Sequence, residues 1–192
     1  MGLDSVELLM ETENFFKISI SNEQAGKVYT VQNLVDVIAE CLKIVSHEKG
    51  LQKEIFLRFA NTLREVKNIQ SEIQLSDKIS NYLQVEEFTF FKEIADKIKL
   101  GIPCPSKSGT DMLNKFKKLI HWAPNYDWEQ LTVEDFVNAI CAKNYILLIQ
   151  PGNIKTQYEI YIAVQGITAE KLGIDYFEIA PDKSFTNDLG ID

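Results

Sequence analysis

The sequence predicts an all-α fold built from two related helical units, and three observations carry that expectation. The chain repeats itself: Thr30-Val-Gln-Asn-Leu-Val-Asp-Val-Ile-Ala39 is echoed by Thr132-Val-Glu-Asp-Phe-Val-Asn-Ala-Ile-Cys141, with the threonine, the hydrophobes and the polar pairs in register. Apolar residues recur at helical spacing through most of the chain, and strand signals are weak throughout. At 192 residues, 45% hydrophobic and 25% charged, the chain is long enough for one large core or two small ones.

The elements follow in order. Val6, Leu9, Met10 and Phe16 predict the apolar face of a first helix, which closes at Phe16-Lys-Ile-Ser-Ile-Ser21. Asp4, Glu7 and Glu11 fall opposite that face at i, i+3, i+7 spacing, while Leu8 and Phe15 lie off the main stripe, to be buried or to add an exposed apolar contact. Thr30 reads as an N-cap with Leu34, Val35 and Ile38 behind it. A long helix and its loop follow from Glu54 to Leu83. Phe88, Phe91, Ile94, Ala95 and Ile98 then repeat the first pattern, closing at Ile98-Lys-Leu-Gly-Ile-Pro103. Residues 104–127 are an extra segment with its own apolar spacing (Met112, Phe116, Leu119) and a run of aromatics, of which Trp122, Tyr126 and Trp128 fit a core patch better than a groove. Thr132 is the next cap, with Asp135 placed for a capping box and Phe136, Val137 and Ile140 as the buried face.

Residues 144–156, punctuated by Pro151-Gly152-Asn153, read as a linker. The last stretch, Glu159–Leu189, echoes Glu54–Leu83: both begin Glu-Ile-aromatic, share Glu-Ile (Glu72-Ile73, Glu178-Ile179) and end Asn-x-Leu (Asn81, Leu83; Asn187, Leu189). Each kind of segment therefore occurs twice, and the chain begins and ends in the middle of a repeat.

Composition narrows the function. Twenty Lys and Arg against 28 Asp and Glu give a net charge of −8, with no basic block, so nucleic acid is not the expected partner. Apolar runs fall far short of the ~20 residues of a membrane span, and no leader pattern opens the chain, so a cytoplasmic location is expected. Cys41, Cys104 and Cys141 are too widely spaced for a disulfide framework or a thiolate metal site and read as reduced thiols. His47 and His121 are too far apart to suggest a ligand pair, Cys104 has no histidine beside it, and no Gly-rich phosphate loop occurs. No metal and no enzymatic activity are expected.

The segments resemble the acyl carrier proteins, four-helix bundles that hold an acyl chain on a 4′-phosphopantetheine arm. Glu170-Lys-Leu-Gly-Ile-Asp175, Glu178-Ile-Ala-Pro181 and Ser184-Phe-Thr-Asn-Asp-Leu-Gly-Ile-Asp192 look like that family's first helix and the loop to its attachment site. What should follow stands at the other end, as Gly2-Leu-Asp-Ser-Val-Glu-Leu-Leu-Met10, Phe16-Lys-Ile-Ser-Ile20 and Lys27-Val-Tyr-Thr-Val31. The resemblance implies that residues 1–45 plus 157–192 form one circularly permuted bundle and that 50–143 form a diverged second bundle in ordinary order, joined by the linker 144–156. Closure within one chain is favoured over a swapped or head-to-tail assembly, because the effective concentration of its own tail is high.

The same resemblance implies a serine for the arm, and the register puts Gly2, which has no hydroxyl, at that place. Ser5 lies in a similar Asp-Ser box three residues further on and is the attachment candidate, with a purely structural serine one turn inside the helix as the alternative. In the middle unit the equivalent position falls near Gln84. The resemblance further implies that Asp4, Glu7 and Glu11 form an acidic face gripped by basic patches on enzymes of fatty-acid or polyketide-type synthesis. A regulatory or scaffold module without the prosthetic group is the alternative.

Overall fold

The computed structural model describes residues 3–104 and 126–191, the side chain of Leu3 excepted; Gly2, Met112, Phe116, Leu119, His121, Trp122 and Asp192 lie outside them. The fold is all-α. Its helices are α1 (Leu3–Phe16), α2 (Asn22–Ala25), α3 (Val31–Leu42), α4 (Gly50–Lys67), α5 (Phe88–Ile98), α6 (Val133–Lys143), α7 (Tyr145–Leu148) and α8 (Gln157–Leu172). Three short 3₁₀ turns, at Ile79–Asn81, Pro151–Asn153 and Tyr176–Glu178, complete the order among the described residues. Two isolated β-bridges, Thr30 with Ser184 and Lys78 with Thr132, are the β pairing among the described residues.

The helix starts follow from the caps. Thr30, Thr132 and Thr156 each sit in extended backbone, accept at the side-chain oxygen the N–H of the residue three further on, and donate their own backbone N–H to the Asn33, Asp135 or Glu159 side chain. These capping boxes satisfy N–H groups that a bare helix end leaves orphaned. Helix ends also match between the units: Lys17 and Lys99, after α1 and α5, both take left-handed backbone at φ 56°, and Asn68 and Gly173 do the same after α4 and α8 at φ 51° and 64°.

The repeat extends to the hydrogen bonds. Near the ends of the chain, the Phe185 N–H donates to Tyr29 O, Val31 N–H to Lys183 O and Gln32 N–H to Pro181 O. In the middle, Ile79 N–H donates to Leu131 O, Val133 N–H to Asp77 O and Glu134 N–H to Leu75 O. The two sets fall at matching positions of the repeat, so both units dock the long loop against the start of the last helix in the same way.

Packing divides accordingly. Helix α8 lies against α3 and α1, while α4 lies against α5 and α6. The C-terminal helix thus packs on the N-terminal ones, across more than a hundred residues of chain. It is buried on nearly all sides, with Tyr158, Ile160, Ile162, Ala163, Val164, Ile167 and Ala169 all in the core, as expected of a helix that has neighbours all round. One neighbour is α6 of the middle unit, so the two units share a single hydrophobic cluster.

The joint between units is specific. Gly166 on α8 meets the chain at the α6–α7 corner: a Cβ there would stand 2.4 Å from Cδ1 of Tyr145 and 2.6 Å from the carbonyl oxygen of Ala142. Phe136 touches Phe59, Phe91 and Trp128 within the middle unit and stacks on Phe177 from the other at 5.9 Å between ring centres. Trp128 is buried and donates its indole N–H to Leu83 O at 3.0 Å, and the Tyr126 hydroxyl reaches Asp175 Oδ2 at 2.9 Å. Both aromatics therefore serve the core and the joint. The stretch 144–156 is more than a spacer, since Tyr145 and Ile149 are buried, the Tyr145 ring lies 5.2 Å from Phe15, and buried Asn144 bonds both backbone groups of Gly101.

Candidate functional site

Helix α1 carries the residues singled out for binding. Asp4 and Glu7 are exposed, Ser5 is half-buried in the first turn, and Glu11 is half-buried with its Oε2 3.1 Å from Lys171 Nζ on α8. An exposed pair of this kind contributes little to stability, but it fixes the acidic stripe against the neighbouring helix.

The apolar face of α1 is turned from the one the spacing suggested. Leu8, Thr12 and Phe16 are buried, whereas Val6 and Met10 stand 41% and 56% exposed. Apolar residues at 6, 8, 9 and 10 surround this helix, so its periodicity alone does not choose a face. The tertiary contacts choose: α1 rests on α8, and Leu8, Thr12 and Phe16, successive turns of one face, are the residues it buries, with Thr12 satisfying its buried hydroxyl by donating to Leu8 O at 2.8 Å. The outer surface is therefore a two-residue apolar ridge, Val6 and Met10 one turn apart, beside the acidic stripe of Asp4, Glu7 and Glu11.

The middle unit shows what became of the same place there. Gln84, near which the sequence repeat puts the counterpart of Gly2, donates its N–H to Glu87 Oε2 at 2.9 Å. Glu87, equivalent to Ser5, is also held by Lys67 Nζ at 2.6 Å, and Lys67 lies 4.2 Å from the Phe90 ring centre. Burial works to raise the Glu87 carboxyl, but the Lys67 ammonium and the Gln84 N–H outweigh it and hold it below the usual carboxylate range. The ion pair with Lys67 and the bond from Gln84 occupy that carboxylate, which stands at the N-cap position of α5 without making a side-chain cap bond, and Gln84 itself has no hydroxyl.

The cysteines differ in environment. Cys41 is half-buried, Cys104 exposed and Cys141 buried. Burial pushes the Cys141 thiol up to about 12, against a smaller opposing effect of the Tyr158 hydroxyl. Brief iodoacetamide treatment of native protein at pH 8 is thus expected to label Cys104 first and to leave Cys141 unmodified until denaturant is added. Peptide mass spectrometry reads this directly; early labelling of Cys141 would contradict the packing of α6. Among the described residues, no group of three or more His, Cys, Asp and Glu is arranged to hold a metal ion, and no helix is long and apolar enough to cross a membrane.

Comparison with known proteins agrees with part of this picture. The chain is 50% identical over 39 residues to the acyl carrier protein of Chlorobium phaeobacteroides, a stretch that is 20% of this chain and 50% of that protein. The acyl carrier proteins of Chlorobium phaeovibrioides and Chlorobium luteolum match at the same identity and coverage. The chain thus spans about half the length of the curated relatives it matches. No family model and no solved structure matches it. The chain carries an acyl-carrier-like region within an all-α fold.

Proposed function

We propose that residues 157–191 and 3–43 form a carrier-like bundle whose helices run in permuted order, and that the bundle works by presenting α1 to enzymes of acyl-chain synthesis. The observation that carries this reading is the outer face of α1. Val6 and Met10 are exposed together beside Asp4, Glu7 and Glu11, an apolar centre with an acidic flank suited to a partner with a basic rim and a shallow apolar seat. The acyl carrier likeness supplies the class of partner.

The register supports an unloaded form. Ser5 lies inside α1, and its counterpart in the repeat, Glu87, is engaged in an ion pair with Lys67. The prosthetic group belongs three residues earlier, where this chain has glycine. The chain then docks as an unloaded carrier-like module.

One assay tests both parts. Incubation with a phosphopantetheinyl transferase and coenzyme A is expected to leave the intact mass of the natural chain unchanged, while Gly2→Ser gains one phosphopantetheine. In that background Met10→Glu is expected to slow loading at least about tenfold, the loss of roughly one desolvated apolar anchor. A mass gain by the natural chain that Ser5→Ala abolishes would overturn the register. Loading of Gly2→Ser at an unchanged rate in Met10→Glu would overturn docking through α1.

A further inference from the structure

The two units enclose a cleft of about 600 Å³ that the carrier-like reading does not use. It opens where α3, α6, α8, the turn at Tyr176–Glu178 and the connector around His47 meet. Matching positions of the two last helices face it, Gln32 and Asp36 from α3 and Glu134 and Asn138 from α6, so anything bound there touches both units at once. Its size lies within the range of small-molecule sites, and a junction between units is a usual place for one.

Chemistry selects the ligand. The walls are aromatic, with Tyr158, Tyr161, Tyr176 and Phe177 all lining the cleft. Two of these rings already carry the chain's own ammonium groups, Lys49 Nζ at 6.0 Å over Tyr158 and Lys143 Nζ at 5.7 Å over Tyr176. The rim holds three carboxylates, Asp36, Glu134 and Asp135, against Lys49 and His47. Lys49 is committed to Glu134 at 2.8 Å. Asp135 instead accepts from the Thr132 N–H and hydroxyl, and Asp36 from the Gln32 amide at 2.8 Å, so these neutral donors leave two formal negative charges uncompensated.

The inner wall points the same way. The Tyr161 hydroxyl is pushed upward first by burial and then by the field of Asp135, Asp182 and Glu134. Gln165, 3% exposed, spends its Nε2 on the carbonyls of Tyr176 and Ile179 at 2.9 and 3.1 Å, leaving a buried Oε1 with no donor among the described residues. The field extends outward: residues 1–49 and 157–192 together hold 15 acidic and 6 basic side chains, the remainder 13 and 14. Acceptors and π faces dominate, and free donors are scarce.

We propose that this cleft binds a small organic cation, an ammonium group on an apolar body of about aromatic-ring size, held between the α3 carboxylate Asp36, the α6 carboxylate Asp135 and the tyrosine walls. The apolar body lies along Val35, Ile179 and Phe177, and the ammonium faces the carboxylates and the Tyr161 ring. Because the ligand spans both units, it also stabilises their docked arrangement.

The test is titration of the full chain with 2-phenylethylammonium, its neutral isostere 2-phenylethanol and the anion 3-phenylpropionate, followed by amide NMR shifts. The ammonium is expected to bind at least about tenfold tighter than either analogue, a difference of about 1.4 kcal/mol, with shifts concentrated at Tyr158, Tyr161, Phe177 and Ala180. Asp36→Asn, a change at an exposed residue, is expected to weaken it several-fold. Ala180→Trp, which fills the cleft, is expected to abolish it. Equal binding of the alcohol or the carboxylate would overturn the proposal. So would shifts centred on the acidic face of α1, or affinity unchanged in both variants.

Discussion

Phe136→Ala is expected to destabilise the chain by about 3–5 kcal/mol, the cost of deleting a fully buried phenylalanine whose surroundings cannot collapse. Phe136 is 0% exposed and makes ring contacts in three directions, to Phe59 on α4, to Phe91 on α5 with Trp128 beside it, and to Phe177 in the turn after α8. The first two join α6 to α4 and α5, and the third ties these helices to the turn after α8. The variant should therefore lose cooperation as well as stability: urea unfolding, expected as a single transition in the natural chain because its core is one cluster, should broaden or split. Leu63→Ala, equally buried but on α4, provides the contrast. It should lower stability by about 2–5 kcal/mol while leaving less direct damage to the joint. A Phe136→Ala midpoint unchanged from that of the natural chain would show that the aromatic cluster is not part of the core in solution.

The second large effect is expected at Gly166. On an isolated helix, Gly→Ala stabilises by about 1 kcal/mol through backbone entropy and propensity. Here the added methyl would come within 2.6 Å of the Ala142 carbonyl as well as 2.4 Å of the Tyr145 ring. A flexible side-chain end can swing away from such a contact, but a backbone carbonyl in α6 moves only with its helix. Separating α6 from α8 also loosens the corner where Tyr145 packs on Phe15 and donates to Glu170 at 3.1 Å. Overpacking of this kind costs about 1–3 kcal/mol or more, which outweighs the propensity gain. Gly166→Ala is thus expected to lower the melting temperature, and Gly166→Val to lower it further. A rise in melting temperature for Gly166→Ala would mean that α6 and α8 do not approach this closely.

The caps and the repeat were legible in the sequence because they are local. A threonine followed three residues later by Asp or Asn, with hydrophobes at Leu34, Val35 and Ile38 or Phe136, Val137 and Ile140, specifies a helix start and its buried face with little tertiary help. The face of α1 was not legible, since Val6, Leu8, Leu9 and Met10 leave no continuous polar side, and only the seat on α8 decides that Leu8 goes in and Val6 and Met10 stay out. Pro151-Gly152-Asn153 does make a turn, as its residues suggest, but a linker reading of 144–156 gives no hint that Tyr145 and Ile149 are core residues; the neighbours of Tyr145, Phe15 and Gly166, come from distant parts of the chain.

The cleft was invisible for the same reason in stronger form. Its residues come from five separate segments, and none of them forms a motif alone. Gln165 illustrates the point: within α8 it interrupts an apolar run, and only the turn that folds back over it, offering the Tyr176 and Ile179 carbonyls, explains a buried amide there. The acidic stripe of α1 was readable from its i, i+3, i+7 spacing. Its apolar companion and the Glu11–Lys171 contact needed coordinates.

Helix α8 packs on α1 and α3 within one molecule, and the proposed carrier-like bundle requires that packing. Methyl NOEs between α8 (Val164, Ile167) and the buried Leu34 and Leu8 test this directly when labelled chain is refolded in a large excess of unlabelled chain. Cross-peaks that keep their intensity on dilution are the predicted result. Cross-peaks that fade as labelled partners become rare would place the contacts between molecules, and their absence at every ratio would remove the bundle itself.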